Sequence, residues 1–444
     1  MSIVKKENHI DFSDNDWKSL RIKDLITKIG SGVTPKGGGE VYVDNGVTFI
    51  RSQNVYNDGL RLDKVSFITD EVNNRMKNSQ LKPFDILINI TGASIGRTCV
   101  FPISVGKANI NQHIIYLRIK KRKVDFLSYY LKSQFVKDYI MSVQAGSSKE
   151  ALNMGQTLNI PVSIPNPEMQ TKIASYLEVK TEAIDEKVAL LENKIDKYKD
   201  FRKSLINQTI TKGLITTVKL KDSKIDWIGE IPEHWKVKRM KDIGFLYSGL
   251  SGKSAKDFNQ DDKEDNKSFL TFTNIAGNTY INTNDFGKVI IKENEKQNKI
   301  KQNDLFFLMS SEGYEDVGKA SLLVDNVSDT YLNSFCKGFR LTTKNVVPKF
   351  LNWMLYAPIF RERLLIQGKG FTRINLKMEK INDFNLIIPS TTKEQIEIAN
   401  FLDLKTTSID NIITNIKKQI NLLKELRKTL INDVVNGKLK VIEE

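Results

Sequence analysis

The chain has 444 residues, 40% of them hydrophobic, and a formal net charge of +15. Its length predicts at least two domains with packed cores, and without a long apolar run we expect neither a membrane helix nor a secretory signal. Two isolated cysteines, Cys99 and Cys336, and three scattered histidines indicate a reducing cytoplasm and argue against a zinc site.

The first domain is predicted to span residues 1–166. Short runs rich in Val, Ile, Phe and Thr are separated by Gly, Asn and Asp, which is typical of a strand-rich domain. The stretch VDFLSYYLKSQFVKDYI adds a predicted helix, and the domain closes on an apolar run that ends at Pro165. We therefore predict an α+β fold in which strands and helices are mixed.

A long helix is predicted to follow, within residues 167–213. Its apolar residues recur every three or four positions, which keeps them on one face of the helix, and Gly213 provides a C-terminal stop. Such a helix would extend about 60 Å, too far to be buried within one small domain. The apolar positions are Ile173, Leu177, Ile184, Val188, Leu191, Ile195, Tyr198, Phe201 and Leu205.

A second domain, predicted to span residues 214–390, begins as if it were a new protein. The stretch WKVKRMKDIG, which starts at Trp235, matches WKSLRIKDLI, which starts at Trp17. Similar shifts relate Asp85 to Asp304 and Arg118 to Arg340. The chain is therefore a tandem duplication, and we predict that Trp235 anchors the fold of its domain instead of contacting a base.

A second long helix is predicted within residues 391–444, with its stop at Gly437. It repeats the apolar positions of the first helix at one constant shift, from Ile398 and Leu402 to Leu426 and Leu430. This matched register predicts that the two helices pack on each other as a coiled coil, although each stripe could also belong to an ordinary core helix. The predicted seam consists of Ile184, Val188, Leu191, Ile195, Ile409, Ile413, Ile416 and Ile420.

No motif for catalysis is convincing. SGLSGKSAKDF, which contains Lys253, has two residues between its first Gly and its Gly-Lys pair, whereas a phosphate-binding loop needs four there. A methyltransferase would need a Gly-rich cofactor loop, which is missing. The acidic stretch EGYEDVGK has no counterpart in TGASIGR, the matching part of the first domain. Two domains that share one task would both carry a catalytic set, so the sequence favours binding over chemistry.

Duplex DNA is the ligand that a basic, duplicated protein of this kind would suit, because DNA itself repeats about every 34 Å. The loops that match between the domains carry side chains that contact phosphates and base edges. These side chains differ between the domains while framework positions match, so we predict that each domain reads a different base sequence. The candidates are Lys36, Arg51, Gln53, Asn54, Thr91, Ser94, Arg97, Asn111, Ser147 and Lys149 in the first domain, and Lys253, Thr273, Asn274, Ser310, Ser311, Lys319, Asn333, Lys369, Thr372 and Arg373 in the second.

Several stretches together resemble the DNA specificity subunit of type I restriction-modification enzymes. They are IDWIGEIPEHWKVKRMKDIG, KPFDILINITGASIG, IPNPEMQTKIASYLEVKTEAIDEKV and IPSTTKEQIEIANFLDLKTTSID. The resemblance covers essentially the whole chain. Its first domain departs from the pattern, because DFSDNDWKSL keeps Trp17 but lacks the Ile-Pro and His that precede Trp235.

The resemblance implies two target recognition domains, each followed by a conserved helix, with the helices packed antiparallel as a spacer. It also implies a non-catalytic subunit that reads a gapped, bipartite DNA sequence for two modification subunits and for restriction subunits. S-adenosylmethionine, ATP and Mg²⁺ would then belong to those partners, so we expect this chain to bind no cofactor or metal. The alternative is a coiled-coil scaffold whose two globular domains bind proteins.

Overall fold

The structure, a computed structural model, describes residues 17–119, 124–144, 151–258, 266–368, 370, 373–439 and 441. The chain forms two compact units. The first comprises Met1–Glu192 together with Lys417–Glu444, and the second comprises Asn193–Ile416. Each unit therefore contains one strand-rich domain and part of both long helices. The four segment boundaries proposed from the sequence stay a prediction.

The first unit is built from short strands and short helices. The strands are β1 (Lys18–Arg21), β2 (Ile26–Ser31), β3 (Val47–Ile50), β4 (Val55–Tyr56), β5 (Gly59–Leu60), β6 (Ser66–Ile68), β7 (Ile86–Asn89), β8 (Thr98–Val100), β9 (Ala108–Ile110), β10 (Ile114–Ile119) and β11 (Pro161–Ile164). The helices are α1 (Ile22–Leu25), α2 (Asp70–Arg75), α3 (Val124–Tyr130), α4 (Gln134–Ser142) and α5 (Met154–Leu158).

Two sheets form the frame of this domain. An antiparallel sheet has the order β2-β10-β7-β8, and a mixed sheet has the order β6-β3-β9 with β3 and β9 parallel. The pair β1-β11 joins the start of the domain to its end. Near-continuous apolar runs such as Ile114–Leu117 are buried because helices cover one face of the sheet and the second sheet covers the other.

The predicted helix after β10 is in fact two helices. Ser133 interrupts it and caps α4, since its hydroxyl accepts a hydrogen bond from the Val136 amide at 3.3 Å. A hydroxyl in this position satisfies an amide that the helix start would otherwise leave unpaired. The same break occurs in the second domain before Pro358, which cannot continue the preceding helix because it lacks an amide hydrogen.

The long helix that follows the first domain, α6, spans Pro167–Lys212. The second unit then adds the strands β12 (Leu220–Asp222), β13 (Glu230–Pro232), β14 (Lys236–Arg239), β15 (Gly244–Ser248), β16 (Asn266–Leu270), β17 (Phe286–Ile290), β18 (Leu305–Leu308), β19 (Ser310–Ser311), β20 (Ala320–Leu322), β21 (Thr330–Leu332), β22 (Cys336–Leu341), β23 (Ile374–Asn375) and β24 (Asn385–Ile388). Its short helices are α7 (Phe272–Gly277), α8 (Pro348–Tyr356), α9 (Pro358–Ile366) and α10 (Met378–Asn382), and the second long helix, α11, spans Thr392–Val435.

The second domain has the topology of the first. Its antiparallel sheet has the order β15-β22-β18-β20, its mixed sheet has the order β17-β16-β21 with β16 and β21 parallel, and β14 pairs with β24. Three features thus recur in the same chain order. The tandem duplication predicted from the sequence is a duplication of the fold.

The two long helices run antiparallel within each unit. In the first unit Asp185 pairs with Arg427 and Glu192 pairs with Lys424, so residue numbers rise on one helix as they fall on the other. In the second unit Arg202 pairs with Asp410. The coiled-coil packing predicted from the apolar repeat is confirmed. Of the predicted seam, Ile184 is half-buried, and the buried members are Val188, Leu191, Ile195, Ile409, Ile413, Ile416 and Ile420.

Two residues assigned to the apolar stripe lie outside it. Phe201 and Leu426 are exposed, and the buried face continues instead through Ile206 and Ile431. The reason is that three-residue steps rotate the stripe by about 300° and not by a full turn, so a run of them moves off the buried face. Equivalent positions deviate in both helices.

Each long helix ends at a glycine that an aromatic ring covers. Gly213 and Gly437 have φ values of 75° and 70°, which confirms the predicted helix stops. Trp235 packs beside Gly213 and Trp17 packs beside Gly437, within the second and first units respectively. Trp235 is fully buried, and its indole N–H donates to Glu394 at 2.9 Å. Its predicted role as an anchor of the fold is confirmed.

Candidate nucleic-acid interface

A buried ion pair fixes the same strand end in both domains. Asp85, just before β7, accepts hydrogen bonds from Nε and Nη2 of Arg118 at 2.8 and 2.6 Å, and Asp304, just before β18, accepts the same pair from Arg340 at the same distances. Both carboxylates are 1% exposed, and this contact raises the pKa of each guanidinium above its ordinary value. These matched residues are framework, because water and DNA cannot reach the carboxylates.

Three loops meet at the other end of these strands in each domain. The first loop cluster is defined by residues 51–54, 91–97 and 111–113, and the second by residues 271–276, 309–319 and 333–335. Equivalent backbone hydrogen bonds hold them, from Asn111 to Ile50 at 3.1 Å and from Asn333 to Leu270 at 3.2 Å. A second equivalent pair of hydrogen bonds joins the Ile90 amide to the His113 carbonyl at 3.0 Å and the Met309 amide to the Phe335 carbonyl at 3.3 Å. The two clusters therefore share one backbone frame.

Glycine makes this frame possible at one matched position. A Cβ atom on Gly32 would lie 1.9 Å from the carbonyl oxygen of Asn111, and one on Gly249 would lie 2.1 Å from that of Asn333. No side chain fits at such distances, so the backbone after β2 and β15 approaches the loop directly. The shared glycine fixes where each loop cluster begins.

The structure brings eight of the twenty candidate DNA-contacting residues onto these clusters as accessible side chains. In the first cluster, Gln53 is exposed and the guanidinium of Arg97 lies 4.7 Å from the ring centre of Tyr56. In the second, Thr273 is exposed and Lys319 donates to the Ala276 carbonyl at 3.2 Å. The half-buried members are Arg51, Thr91, Ser94, Arg97, Ser310 and Lys319.

Asn54 and Asn274 have a different role from the predicted one. They are 3% and 0% exposed, and both amide groups are used inside the domain. Asn54 accepts from the Arg51 amide at 3.0 Å and donates to the Arg61 carbonyl at 2.8 Å. Asn274 donates to the carbonyls of Asn282 and Asp285, each at 2.8 Å. A buried amide with satisfied partners stabilises its turn and presents nothing to a base.

Other candidates also serve the turns. The Asn333 side chain accepts from the Phe335 amide at 2.9 Å, and Asn111 accepts from the His113 amide at 3.3 Å. Ser311 is buried and accepts from the Gly313 amide at 3.0 Å. Lys253 is enclosed and paired with Glu295, which leaves no free ammonium for a phosphate.

The remaining candidates lie away from the cluster centres or outside the described residues. Lys36 is exposed on the loop after β2, and Arg373 is exposed with its guanidinium 5.1 Å from the ring centre of Phe335. The candidates outside the described residues are Ser147, Lys149, Lys369 and Thr372.

Each unit also contains a basic cleft where the paired helices meet the domain. The first cleft has a volume of about 570 Å³, and Asp185, Lys424, Arg427 and Lys428 form its helical wall. The second cleft has a volume of about 720 Å³, and its helical wall contains Asp410, Lys199, Arg202 and Lys203. The constant shift between the two helices relates each of these residues to one in the other wall, so the clefts are one site present twice.

Burial lowers the pKa of cations that line both clefts, and in the first cleft neighbouring positive charge lowers it further. Burial and then the charge of Arg427 lower the pKa of Lys132 in the first cleft to about 8. Burial and then Lys428 lower the pKa of Lys137, and burial lowers the pKa of Arg361 in the second cleft to about 10. Arg427 and Lys428 therefore lie close enough to Lys132 and Lys137 to disfavour their charged forms. The sequence contains a signal for this site: Lys199, Arg202 and Lys203 recur unchanged as Lys424, Arg427 and Lys428.

Among the described residues, no group of three or more His, Cys, Asp and Glu side chains is placed to hold a metal ion. None of the helices in the described part of the chain is long and apolar enough to span a membrane. Cys99 and Cys336 are buried, and burial raises the pKa of each thiol to about 12. Both are therefore apolar core residues at neutral pH.

Comparison with known proteins agrees with the duplicated fold. The model of the type I restriction modification DNA specificity domain matches residues 14–197 and 232–424. The MjaVIII specificity subunit of Methanocaldococcus jannaschii is 23% identical, over 99% of this chain and 98% of its own length. The StySPI specificity subunit of Salmonella potsdam is 21% identical, over 95% and 89%.

Solved structures show the same architecture. The HsdS subunit of Thermoanaerobacter tengcongensis has a TM-score of 0.55 and 13% identity, over 96% of this chain and 98% of that one. A chain from a study of complex assembly and conformational transition in a type I R-M system has a TM-score of 0.70 and 12% identity, over 96% and 99%. With two family domains that together cover most of its length, the chain belongs to the family of type I restriction-modification DNA specificity subunits.

Proposed function

We propose that this chain recognises a bipartite, gapped DNA sequence and that each domain reads one half of it. One observation carries this proposal: two loop clusters with the same backbone hydrogen bonds present different accessible side chains, with Gln53 where the second has Thr273 and Arg97 where it has Lys319. A common frame supports a common mode of docking. Different side chains on it provide different hydrogen-bonding patterns for base edges.

In this proposal the framework and the loops have different roles. The buried pairs Asp85–Arg118 and Asp304–Arg340 keep the loops rigid, since ion pairs enclosed at this depth hold one geometry. The net charge of +15 attracts the phosphate backbone without regard to sequence. Specificity then depends on few exposed groups, which can change between related proteins without altering the fold.

The test is selection of binding sites from random duplex DNA by the full chain assembled with its modification subunits. We expect two short specified elements separated by a fixed number of unspecified base pairs. Gln53→Ala should relax one element and Thr273→Ala the other, each by about 1–3 kcal/mol of discrimination at the position contacted. Each variant is the matched control for the other, because the two residues occupy equivalent turns. A single uninterrupted motif, or relaxation of both elements by one variant, would contradict the proposal.

The chemical steps, we propose, belong to partner subunits that act with this chain in the cytoplasm. Two modification subunits would methylate adenine with S-adenosylmethionine, and restriction subunits would use ATP and Mg²⁺ to translocate and cleave DNA. This assignment follows from the family and from the lack of a cofactor loop in the sequence. The chain itself would be non-catalytic and would direct both reactions to one DNA sequence.

Apolar side chains on the outer faces of the helices provide a docking surface for the modification subunits. Val179 and Leu404 are 63% and 66% exposed, and Phe201 and Leu426 are 55% and 54% exposed. Each pair is related by the constant shift between the helices. Val179 and Phe201 are separated by close to a whole number of helical turns, so they lie near the same face of α6. Equivalent apolar positions on both helices support two equivalent docking sites.

Native mass spectrometry of the complex tests this stoichiometry. We expect two modification subunits per chain, and we expect the double variant Phe201→Asp/Leu426→Asp to lose them, because a carboxylate in an apolar contact must be desolvated. Ile103→Asp is the control, since Ile103 is 69% exposed but lies on the first domain. One bound copy in the wild type, or equal losses from the control, would exclude this docking surface.

A further inference from the structure

We propose that the two basic clefts bind the sugar-phosphate backbone of DNA, so that the paired helices contact DNA as well as the domains. This inference rests on the proposed DNA-binding function and assigns it a second set of residues. It concerns the helical walls, Lys199, Arg202 and Lys203 in one cleft and Lys424, Arg427 and Lys428 in the other.

The clefts match where the loops differ. Three cation positions on the helical wall are identical in the two repeats, and so is one acidic residue opposite them, Asp185 or Asp410, whereas Glu192 lines the first cleft alone. The loop clusters beside them carry different side chains. A wall that is the same in both halves suits a ligand that is the same in both halves, and the part of duplex DNA that does not depend on sequence is its phosphate backbone.

The charge of the clefts also matches in sign and amount. Seven cationic and three acidic residues line the first cleft, and five cationic and one acidic residue line the second. Both therefore have four more positive than negative groups. Clefts with one sign of charge concentrate the field and attract the opposite charge more strongly than a flat surface does.

The geometry leaves the outer lysines available to a ligand. Arg427 Nε donates to Asp185 at 3.1 Å and Arg202 Nη2 donates to Asp410 at 3.4 Å, and these arginines are mostly buried, so they form the base of each cleft. Lys203, by contrast, is exposed and makes only a 3.8 Å contact with Asp200 on its own helix. Exposed pairs of this kind contribute little, so a phosphate can displace the contact at small cost.

Base stacking does not account for the shared features. Tyr56 lines the first cleft and Tyr356 lines the second, but the two rings are at unrelated positions, since Ala276 matches Tyr56 and Lys132 matches Tyr356. A site built for bases would keep an aromatic platform at one position in both halves. The cations, by contrast, occur at matching positions in both halves.

The clefts adjoin the loop clusters. Arg97 belongs to the first loop cluster and lines the first cleft, and Lys319 does the same in the second domain. A strand whose phosphates lie in a cleft therefore passes directly to the loops that face bases. Phosphate contacts of this kind fix the register in which base edges are read.

The test measures binding of the full-length chain, alone and assembled with its modification subunits, to a fluorescent 40-base-pair duplex of arbitrary sequence at several KCl concentrations. We compare Lys203→Ala, Lys428→Ala and the double variant with the wild type. Each lost phosphate contact should lower the slope of log affinity against log salt by about 0.9, and the double variant by about twice that amount. Cognate and unrelated duplexes should lose affinity by the same factor.

Matched variants separate a local effect from loss of total charge. Lys187→Ala and Lys418→Ala remove exposed lysines from the same helices but outside the clefts, and should leave the slope at the wild-type value. Lys203→Arg should preserve it, because the charge remains. Thermal unfolding of every variant at the wild-type temperature verifies that the fold is intact.

The outcomes distinguish this inference from the proposed function. If the wild type binds DNA with a steep salt dependence but the cleft variants bind identically, the clefts do not hold phosphate while DNA recognition stands. If the wild type shows no salt-dependent binding to DNA, both proposals fail. Loss of a modification subunit from the cleft variants, with unchanged DNA binding by the free chain, would assign the clefts to an acidic protein surface and overturn the inference.

Discussion

Both domains pack a tyrosine ring against a glycine on the neighbouring strand, but the two residue types have exchanged strands between the domains. In the first domain Tyr116 of β10 lies across from Gly30 of β2, and in the second Tyr247 of β15 lies across from Gly338 of β22. Since β2 corresponds to β15 and β10 to β22, tyrosine and glycine have traded strands. Each ring covers the glycine and lies about 5 Å from the guanidinium of the buried ion pair. The framework is conserved as an arrangement in space more than as a residue at a position.

The loop clusters show the opposite behaviour. Gln53 and Thr273 differ in size and hydrogen bonding, and both are exposed. Residues that must fit each other change together, whereas residues that face solvent change independently. The comparison therefore separates framework residues from exposed loop residues within a single chain, and variants that disturb it test that separation.

The largest expected effect comes from the buried carboxylates. Asp304→Ala should destabilise its domain by about 2–4 kcal/mol, because the half-buried Arg340 and the buried Tyr247 hydroxyl lose the acceptor that they share. Asp85→Ala should cost less, since Asp304 also accepts a 2.6 Å hydrogen bond from Tyr247, whereas the Tyr116 hydroxyl donates to the Asn78 carbonyl. Urea unfolding monitored by circular dichroism measures both.

The exposed carboxylate variant Asp63→Ala is the control for these two and should leave the unfolding midpoint unchanged. Equal destabilisation by Asp85→Ala and Asp304→Ala would show that the additional hydrogen bond from Tyr247 contributes nothing. No destabilisation in either domain would remove the ion pair from the framework altogether.

A smaller effect should follow from the exchanged pair. A Cβ atom on Gly338 would lie 2.1 Å from Cζ of Tyr247, so Gly338→Ala should destabilise the second domain by about 1–3 kcal/mol through overpacking. The double variant Gly338→Tyr/Tyr247→Gly recreates the arrangement of the first domain and should be more stable than the summed losses of Gly338→Tyr and Tyr247→Gly predict. Unfolding of these two single variants and of the double variant forms a double-mutant cycle. A double variant as unstable as the sum of its parts would refute the exchange.

The sequence predicted the architecture because duplication and apolar periodicity are local signals. The seam from Val188 to Ile195 follows from spacing alone, and Trp235 could be assigned to the core because its counterpart Trp17 begins the other half. The exchange that relates Tyr116 and Gly30 to Gly338 and Tyr247 could not be predicted from the sequence. Neither residue matches its counterpart in a linear alignment, and only strand pairing brings them together.

The interface was harder to predict for a physical reason. Asn54 and Asn274 were chosen because asparagine can contact adenine, but the same amide also caps turns, and only burial distinguishes the two uses. The cleft could not be predicted from the spacing of its cations alone. It forms because Asp185 and Arg427, which lie far apart in the chain, meet across a helix pair. Proximity of that kind requires the fold.

The smallest predicted effect concerns a lysine of the first domain whose equivalent in the second domain is not a lysine. Lys132 lines the first cleft with a pKa lowered to about 8, and Tyr356 occupies the equivalent place in the second. Below pH 8 the folded state must hold this ammonium charged beside Arg427. Lys132→Met removes that cost and should stabilise the first domain at pH 7 by about 1–2 kcal/mol, after allowance for solvent screening.

The pH dependence identifies the cause. Between pH 8 and the ordinary lysine value of 10.5, the unfolded wild type retains a proton that the folded state has released, so wild-type stability rises with pH in this window relative to the variant. The difference in free energy of unfolding between Lys132→Met and the wild type should therefore narrow as the pH increases from 7 to 10. Thermal unfolding at a series of pH values measures it, with Tyr356→Phe as the control in the second domain. A gap that stays constant would mean that methionine stabilises the domain by apolar packing and that the charge of Lys132 costs nothing.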